Sequence, residues 1–367
     1  MEDQMRNLFV GLLVMCLFVL GFGVITVGAQ EVTWTCPEGF EGQELNIFNW
    51  ATYIDEEAIP RFEELCGVTI NYTTYSSNEE MIARLRQGNP GFDIVVPSGA
   101  VIPVMVADGL LEELDGQDLP NFVHVAEQFV DPDYDPGNTY TVPYQWGTVG
   151  IAYNKNAVGD AELTSWEDVF NYDGNVAWLE DQRAMLGVAL QILGFDPNTH
   201  NLDEIEQARD FLLENGDNVV RIAEDDGQEM LLAGEADVIV EYNGDVFQII
   251  FECECDDYAF ITPEEGTNVW VDNLAIPTGA QNPELARVFI DYMLDPVVGA
   301  ANSNYIAYAS PNQTAIDEGL IDEELLTNPF IYPTEEELEK MFFILEDPDT
   351  EQLYSDAWDE LSVLIGG

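Results

Sequence analysis

Short apolar runs alternate with helical patterns along the chain from Leu45 onward, and this alternation restricts the possible folds more than any other sequence feature. Strands are predicted at Leu45–Phe48, Val68–Tyr72 and Asp93–Val96, with a helix in each interval. Three strands and two helices within about fifty residues are typical of an open parallel sheet with helices on its faces. The sequence therefore predicts an α/β fold.

Capping signals locate the two helices of this first series. The first helix is expected to end at Cys66, because Gly67 can adopt the left-handed conformation of a C-cap. Ser77 and Glu80 have the spacing of a capping box and predict a second helix over Met81–Gln87. Both helices thus connect successive strands of the predicted sheet.

A second series of strands and helices begins after residue 146. Thr164 with Glu167, and Thr334 with Glu337, have capping-box spacing and predict helix starts. The predicted strands are Val149–Tyr153, Val176–Leu179, Val219–Ile222, Val238–Glu241, Tyr258–Ile261 and Trp270–Ile276, and the predicted helices include Arg183–Leu193, Ile205–Glu214, Glu229–Ala233, Pro283–Leu294, Glu335–Leu345 and Glu351–Leu364. Two series predict two α/β lobes, and ligands of such sheets bind beyond the carboxyl ends of the strands.

The N-terminal residues 1–29 have the pattern of a secretory signal. Arg6 precedes an apolar run over Leu8–Val27, and small residues suit cleavage after Ala29. A transmembrane anchor is the alternative, because the run is nearly long enough to span a bilayer, but three glycines within it weaken that interpretation. We expect cleavage and a periplasmic or extracellular protein.

The charge balance excludes one class of partner. The chain has 71 Asp and Glu residues against 10 Lys and Arg residues, a formal net charge of -61. A protein with this net charge repels the phosphate backbones of nucleic acids, and we therefore expect no nucleic-acid partner. Adaptation to high salt explains most of the acids as hydrated surface, so the position of an acid must decide whether it has a function.

Four cysteines follow the predicted signal, namely Cys36, Cys66, Cys253 and Cys255. In an exported chain they permit two disulfides with three possible pairings. Cys36 and Cys66 flank the first strand–helix unit, which suits a bridge between them. A single residue separates Cys253 from Cys255 in the sequence, so a disulfide between them would close a small, tight ring.

Signatures of catalysis and of metal binding are weak. There is no glycine-rich loop followed by lysine, and neither His124 nor His200 lies near a nucleophilic serine motif. His124 is interpreted as structural. The segment Asp131–Gly137 resembles a calcium loop, but its glycine comes one position late and Val142 replaces the final acid, which favours a plain acidic loop. No catalytic residue, metal ligand or cofactor is predicted.

Aromatic and polar side chains recur beside the ends of the predicted strands. They are Trp50, Tyr53, Ser98, Asp181, Tyr242, Asp245, Trp270 and Asp272. Rings and carboxylates in one cleft suit a cationic amine with an apolar stem, since rings cover the methylenes and carboxylates accept hydrogen bonds from the ammonium groups. These residues are therefore the candidate ligand-binding site.

Several segments resemble the spermidine/putrescine-binding proteins of ABC transporters. The most specific are NWATY, DIVVPS and WVDNLAIP, and VPYQWGTVGIAYN, TSWEDVF, EYNGDVF and YASPNQTA follow the family's order and spacing. The resemblance runs from about Leu45 to Leu364. It implies a two-lobed, periplasmic-binding-protein-like fold, in which each lobe is a mostly parallel sheet flanked by helices and a hinge joins the lobes. The lobes would close over a polyamine and deliver it to a membrane permease.

The resemblance also implies a domain division and site roles. Lobe 1 would comprise residues 45–145 and 270–312, and lobe 2 residues 146–269 and 313–367, after an N-terminal extension over 30–44. Trp50, Tyr53, Tyr242 and Trp270 resemble the family's stacking residues, Ser98 a polar contact, Asp181, Asp245 and Asp272 its amine-binding acids, and Tyr308 a residue of the opposite wall. The chain departs from the family at Ala100, which replaces an aromatic, at Ala184, which replaces a second carboxylate, and near Glu346, where a glutamine contact aligns poorly.

The sequence thus predicts a monomeric, non-enzymatic polyamine receptor of an ABC transporter. Two alternatives stay open. One is the same fold with another cationic or small organic solute, such as a quaternary amine or an amino-acid derivative. The other is an extracellular hydrolase that uses paired carboxylates.

Overall fold

The computed structural model describes residues 32–159, 161, 163–224, 226–253 and 255–365. The predicted signal sequence and its cleavage site lie outside these residues. Within them, no helix is both long enough and apolar enough to cross a membrane.

Ten strands are present in the described residues. They are β1 (Glu44–Trp50), β2 (Thr69–Tyr75), β3 (Ile94–Val95), β4 (Thr141–Asn154), β5 (Val176–Leu179), β6 (Val219–Ala223), β7 (Val238–Tyr242), β8 (Tyr258–Ile261), β9 (Asn268–Ala275) and β10 (Phe342–Phe343).

Helices separate most of these strands. They are α1 (Ala58–Cys66), α2 (Asn78–Arg86), α3 (Ile102–Ala107), α4 (Lys155–Val158), α5 (Trp166–Phe170), α6 (Gln182–Leu193), α7 (Leu202–Glu214), α8 (Gly227–Ala233), α9 (Asn243–Cys253), α10 (Pro283–Met293), α11 (Pro296–Ile306), α12 (Gln313–Asp317), α13 (Glu323–Leu326), α14 (Glu335–Leu338) and α15 (Glu351–Ile365). Short 3₁₀ helices occupy much of the interval between residues 99 and 138.

The strands form one continuous sheet in the order β2-β1-β3-β9-β4-β7-β5-β6, with β10 beside β9 and β8 beside β4. β1 pairs in parallel with β2 and β3, and β5 pairs in parallel with β6 and β7. The long strand β4 lies between these two parallel groups. It pairs antiparallel with β9 over residues 141–148 and with β7 and β8 over residues 149–154. The predicted α/β fold class is confirmed.

The packing of α1 against the core follows from the spacing of its apolar residues. Ala58, Phe62 and Cys66 are buried at a spacing of four residues, so one face of α1 packs inward. Trp34 packs against Phe62 with ring centroids 5.8 Å apart. A disulfide joins Cys36 to Cys66, as the sequence suggested, and ties the N-terminal segment to α1.

The second disulfide joins Cys253 to Cys255, with Cα atoms 5.1 Å apart. It lies at the C-terminal end of α9. Together the two bridges select one of the three pairings that the sequence left open.

Capping residues explain several helix starts and correct two predictions. Ser77 is the N-cap of α2 and accepts a hydrogen bond from the Glu80 amide, so the helix begins at Asn78 rather than at Met81. The box predicted from Thr164 is wrong by one residue, because Ser165 and Asp168 form it before α5. The capping box of Thr334 with Glu337 is confirmed.

The predicted helix over 335–345 is wrong. α14 ends at Leu338, and Phe342 and Phe343 form β10, which pairs in parallel with β9. The Phe343 ring stacks on Tyr134 with centroids 5.6 Å apart. Tertiary packing of these two rings therefore outweighs the helical pattern of the sequence.

The acidic loop around residues 131–137 is internally bonded. The Asp135 carboxylate accepts hydrogen bonds from the backbone amides of Thr139, Tyr140 and Thr141 at 2.8–3.2 Å. Asp131 accepts one from the Gly137 amide at 2.6 Å. The loop acids thus brace the turn that leads into β4.

The surface charge predicts that the stability of the fold depends on salt concentration. Ion pairs in the described residues are few and involve Arg84, Arg86, Arg209, Arg221 and His200. Most acids are therefore unpaired and repel one another, and salt screens that repulsion.

We expect the melting temperature of the mature protein to rise by at least about 5 °C when KCl is raised from 0.1 M to 2 M, because the screened repulsion is larger in the compact state. Thermal unfolding followed by circular dichroism measures this. Sucrose of equal osmolality is the control for general solute exclusion. A melting temperature indifferent to salt would contradict the salt-adaptation interpretation.

Candidate functional site

A cavity lies beside the ends of β1, β3, β5, β7 and β9. Its empty volume is about 910 Å³, which includes space open to solvent. The structure brings all nine predicted site residues together on its walls, namely Trp50, Tyr53, Ser98, Asp181, Tyr242, Asp245, Trp270, Asp272 and Tyr308. Residues that are up to 258 positions apart in the sequence thus share one space, because the carboxyl ends of β1, β3, β5 and β7 meet the amino-terminal half of the antiparallel strand β9.

Aromatic rings form a continuous row along the cavity. The Tyr53 and Tyr308 rings meet edge to face with centroids 5.2 Å apart, and Trp270 lies 5.2 Å from Tyr308. Tyr242 meets Trp270 edge to face at 5.7 Å. Trp50 is fixed separately, since its indole N–H donates to the carbonyl oxygen of Val96 at 3.0 Å. Fixed rings of this kind suit an apolar stem.

Asp272 lies on β9 and is 5% exposed. The pKa of its carboxyl is raised to about 7, mainly by burial and to a smaller extent by the charges of Asp181 and Asp245. The hydroxyls of Ser98 and Tyr53 lie near enough to lower the pKa, yet Oδ1 has no hydrogen-bond partner of normal geometry among the described residues. The carboxyl is therefore poised to accept a donor from a ligand.

Asp245 lies in the first turn of α9 and is also buried. Its carboxylate accepts hydrogen bonds from the hydroxyls of Tyr308 at 2.7 Å and Thr52 at 3.5 Å. Burial raises the pKa of Asp245 to about 6, and these donors lower it only in part. Gly244 is needed beside it, because a Cβ atom there would overlap the Tyr308 ring.

Asp181 is the N-cap of α6. Its Oδ1 accepts hydrogen bonds from the amides of Arg183 at 3.0 Å and Ala184 at 2.9 Å, while Oδ2 accepts one from the Tyr242 hydroxyl at 3.2 Å. Burial raises the pKa of Asp181, and the donors lower it. The cap fixes the carboxylate at the end of β5.

Five buried polar atoms of residues that line the cavity lack partners among the described residues. They are the hydroxyl of Tyr53, Nε of Arg183, Oδ1 of Asn268, the indole N–H of Trp270 and Oδ1 of Asp272. Buried polar groups without partners are rare in folded proteins, because each costs free energy. Their concentration in one cavity indicates a polar ligand.

Sequence reasoning missed two further residues of the cavity, Glu79 in α2 and Asn268 in β9. Strand-end position could have suggested Asn268, whereas Glu79 lies on a helix and carried no such signal. Glu346, which the family resemblance suggested in place of a glutamine contact, also lines the cavity.

The cavity is strongly anionic. Its acidic residues are Glu79, Glu180, Asp181, Glu224, Asp245, Asp272 and Glu346, and among the described residues Arg183 is the one basic residue on its walls. Carboxylates interleaved with fixed rings can hold a cation with an apolar stem, whereas they would repel an anion. No group of three or more His, Cys, Asp or Glu side chains that could hold a metal ion is found among the described residues.

An α/β fold with a ligand-sized cavity at its strand ends defines a binding protein for a small solute. The chain belongs to the family of bacterial extracellular solute-binding proteins, whose profile matches residues 57–328. The family resemblance seen in the sequence is thereby confirmed.

Individual relatives agree with this assignment. The chain is 31% identical to the spermidine/putrescine-binding periplasmic protein 1 of Haemophilus influenzae, over 86% of this chain and 88% of that protein. It is 30% identical to the spermidine/putrescine-binding periplasmic protein of Escherichia coli, over 85% of this chain and 90% of that protein. Among solved structures, a spermidine/putrescine ABC transporter protein from Listeria monocytogenes superimposes with a TM-score of 0.80 at 34% identity, covering 87% of this chain and 98% of that one. The predicted periplasmic-binding-protein type of fold is confirmed by this match.

Proposed function

We propose that this chain is the extracytoplasmic substrate-binding component of an ABC transporter and that it binds putrescine or spermidine. The observation that carries the proposal is the cavity, which is lined both by buried carboxyls and by a fixed row of aromatic rings. The polyamine-binding names of its relatives support the same ligand class.

The site residues divide into two roles under this proposal. Asp272, Asp245 and Asp181 accept hydrogen bonds from ammonium groups, and each charge-assisted bond offsets the burial of its carboxylate. Trp50, Tyr53, Tyr242, Trp270 and Tyr308 cover the methylenes between them, and Ser98 supplies a polar contact. Binding needs no bond to be made or broken, so we propose no enzymatic activity.

The proposed mechanism is closure of two lobes, with lobe 1 over residues 45–145 and 270–312 and lobe 2 over 146–269 and 313–367. The pairing of β4 supports this division, because the strand changes partners from β9 to β7 and β8 between Thr148 and Val149. Closure would bury the ligand, and a membrane permease would accept it from the closed form. The exported protein would act as a monomer.

Isothermal titration of the mature protein with putrescine, spermidine and choline tests the proposal. We expect one saturable site of micromolar or tighter affinity for a polyamine, and no such site for choline. Moderate salt is needed, because so acidic a surface collects polycations weakly at many places.

Weak, multi-site heats that salt abolishes would contradict the polyamine assignment while leaving the fold intact. Saturable binding of choline instead would indicate that the aromatic row binds a quaternary amine.

A further inference from the structure

A C-terminal strap, defined here as residues 342–351, leads from β10 to the first residue of α15 and passes along the cavity wall. It is bound to the β5–β6 side of the molecule. The Asn198 side chain donates to the carbonyl oxygen of Phe343 at 2.8 Å and accepts a hydrogen bond from the Leu345 amide at 2.9 Å. The helix that follows the strap, α15, packs against α6, α7 and β6. The strap therefore belongs to the proposed lobe 2.

The strap also contacts the proposed lobe 1. The Glu346 amide donates to the carbonyl oxygen of Ala100 at 2.9 Å. The Phe343 ring stacks on the Tyr134 ring with centroids 5.6 Å apart. Because Ala100 and Tyr134 both belong to lobe 1, the strap connects the two lobes beside the cavity.

Arg86 forms an ion pair with the last residue of the strap. Arg86 is the last residue of α2, and its Nη1 and Nη2 atoms lie 3.2–3.3 Å from the Glu351 carboxylate. Its Nε donates to Asp108, the C-cap of α3, at 2.7 Å. One guanidinium group thus holds an acid of lobe 1 and an acid of lobe 2 through charge-assisted hydrogen bonds.

The pair of Arg86 with Glu351 is the one ion pair between the two lobes in the part of the chain that the structure describes. The other pairs, those of Arg84, Arg209, Arg221 and His200, each join groups within one lobe. The chain has 71 acids against 10 basic residues, so two anionic lobes repel one another as they approach. Arg86 offsets that repulsion where its helix meets the strap.

This ion pair lies outside the ligand site. Arg86, Asp108 and Glu351 do not line the cavity, and their side chains are partly exposed to solvent. A substitution among them therefore removes no contact with a ligand. It can change the affinity through the equilibrium between open and closed forms, or through the net charge of the protein.

We propose that Arg86 and Glu351 form a latch that holds the lobes together over the bound ligand, and that this latch sets the affinity and the rate of ligand release without touching the ligand. The inference rests on the proposed function, since it concerns the same closure. A contact made only in the closed form lowers the apparent Kd by raising the population of that form. Because opening breaks the pair, its loss should mainly accelerate dissociation.

Reversing the charge of Arg86 tests the latch. Arg86→Glu replaces the ion pair by three neighbouring carboxylates. In 0.1 M KCl we expect the affinity for the polyamine that wild type binds best to fall about tenfold, mainly through faster dissociation. Arg84→Glu is the matched control, because it makes the same change of charge two residues away and breaks a pair within α2. Its affinity should stay within about twofold of wild type. Titration calorimetry and stopped-flow tryptophan fluorescence measure these effects.

A rescue variant separates the latch from a local structural role of α2. Arg86→Glu combined with Glu351→Arg restores a pair of opposite charges between the lobes. We expect its affinity to return to within about threefold of wild type, which damage to the helix alone would not allow. In 2 M KCl wild type and Arg86→Glu should differ by less than about twofold, because salt screens an exposed ion pair.

Three results would overturn the latch while leaving the proposed function intact. They are an affinity of Arg86→Glu within about twofold of wild type in 0.1 M KCl, a double variant that binds no better than Arg86→Glu, and a difference that persists unchanged in 2 M KCl. Should Arg86→Glu fail to fold, Glu351→Gln gives the same comparison with an expected loss of about threefold. Its control is Asp359→Asn, which removes an exposed acid from the same helix.

The empty protein provides a readout that does not depend on the ligand. If wild type has no saturable polyamine site, the proposed function fails, and small-angle X-ray scattering then decides whether the latch exists. A larger radius of gyration for Arg86→Glu than for Arg84→Glu would support the latch, because the lobes would be apart more often. Equal radii would refute it.

Discussion

Replacing Asp272 by asparagine is expected to weaken polyamine binding by at least about 30-fold, which corresponds to ~2 kcal/mol or more. The carboxyl is 5% exposed, and its Oδ1 lacks a hydrogen-bond partner among the described residues. In the variant, an ammonium group bound at this position would no longer face a negative charge, and little water could replace that interaction because the site is largely buried. Isothermal titration of wild type and variant measures the loss.

The same substitution is expected to raise the stability of the empty protein by about 1 kcal/mol, because it removes a carboxyl that burial disfavours. The pKa of Asp272 is raised to about 7, mainly because burial disfavours the ionised carboxylate, and this rise reflects the free-energy cost. Binding and stability should therefore change in opposite directions. Thermal unfolding without ligand measures the second effect.

Asp93 provides a matched control, since it is a fully buried aspartate with complete hydrogen bonding. Its carboxylate accepts bonds from the amide and side chain of Asn46 and from the amides of Gln281 and Asn282 at 2.7–3.1 Å. Asp93→Asn should lower the melting temperature and leave the polyamine affinity of the folded protein unchanged. If Asp272→Asn behaved in the same way, the assignment of Asp272 as a ligand-binding residue would be wrong.

Strand ends were the part of the site that the sequence could predict. Trp50, Asp181 and Tyr242 follow or end apolar runs that form β1, β5 and β7, and the convergence of such ends in an α/β sheet is a general property. Local sequence signals also located the C-terminal end of α1 at Cys66 and the capping box that begins at Thr334.

Features that depend on distant contacts could not be predicted. The first half of β4 contains Pro143, which cannot donate to a sheet, and its register shifts there, so the pattern showed only the strand's second half. β10 forms because Phe342 and Phe343 pack beside β9. Glu346 is buried by the same tertiary arrangement, and one acid among 71 carries no mark of burial in the sequence.

The pH dependence of binding is the second large effect that we expect. Burial raises the pKa of Asp272 to about 7 and that of Asp245 to about 6, so both carboxyls take up protons between pH 8 and pH 5.5. Polyamine ammonium groups stay charged over this range, because amine pKa values are about 10. A cation binds the ionised carboxyls, and the affinity should therefore fall by about 30-fold or more from pH 8 to pH 5.5, since each pKa unit corresponds to a tenfold change.

The stability of the empty protein should show the opposite trend. A carboxyl whose pKa is higher in the folded than in the unfolded chain stabilises the fold below the unfolded value of about 4, and that contribution is lost as pH rises through the folded value. Asp272 should therefore lower the melting temperature as pH rises through about 7, and this part of the slope should be absent in Asp272→Asn.

Titrations between pH 5.5 and pH 8, in buffers that differ in ionisation enthalpy, measure both the affinity and the protons released. We expect proton release on binding near pH 6.5 in wild type and a smaller release in Asp272→Asn, because that variant lacks one of the carboxyls that must ionise. An affinity independent of pH with no proton release would mean that these carboxyls are already ionised in the empty cavity. Hydrogen bonds within the protein would then have to offset the free-energy cost of burying the ionised carboxylates. In particular, the unpartnered Oδ1 of Asp272 would have to accept a hydrogen bond from another group of the chain.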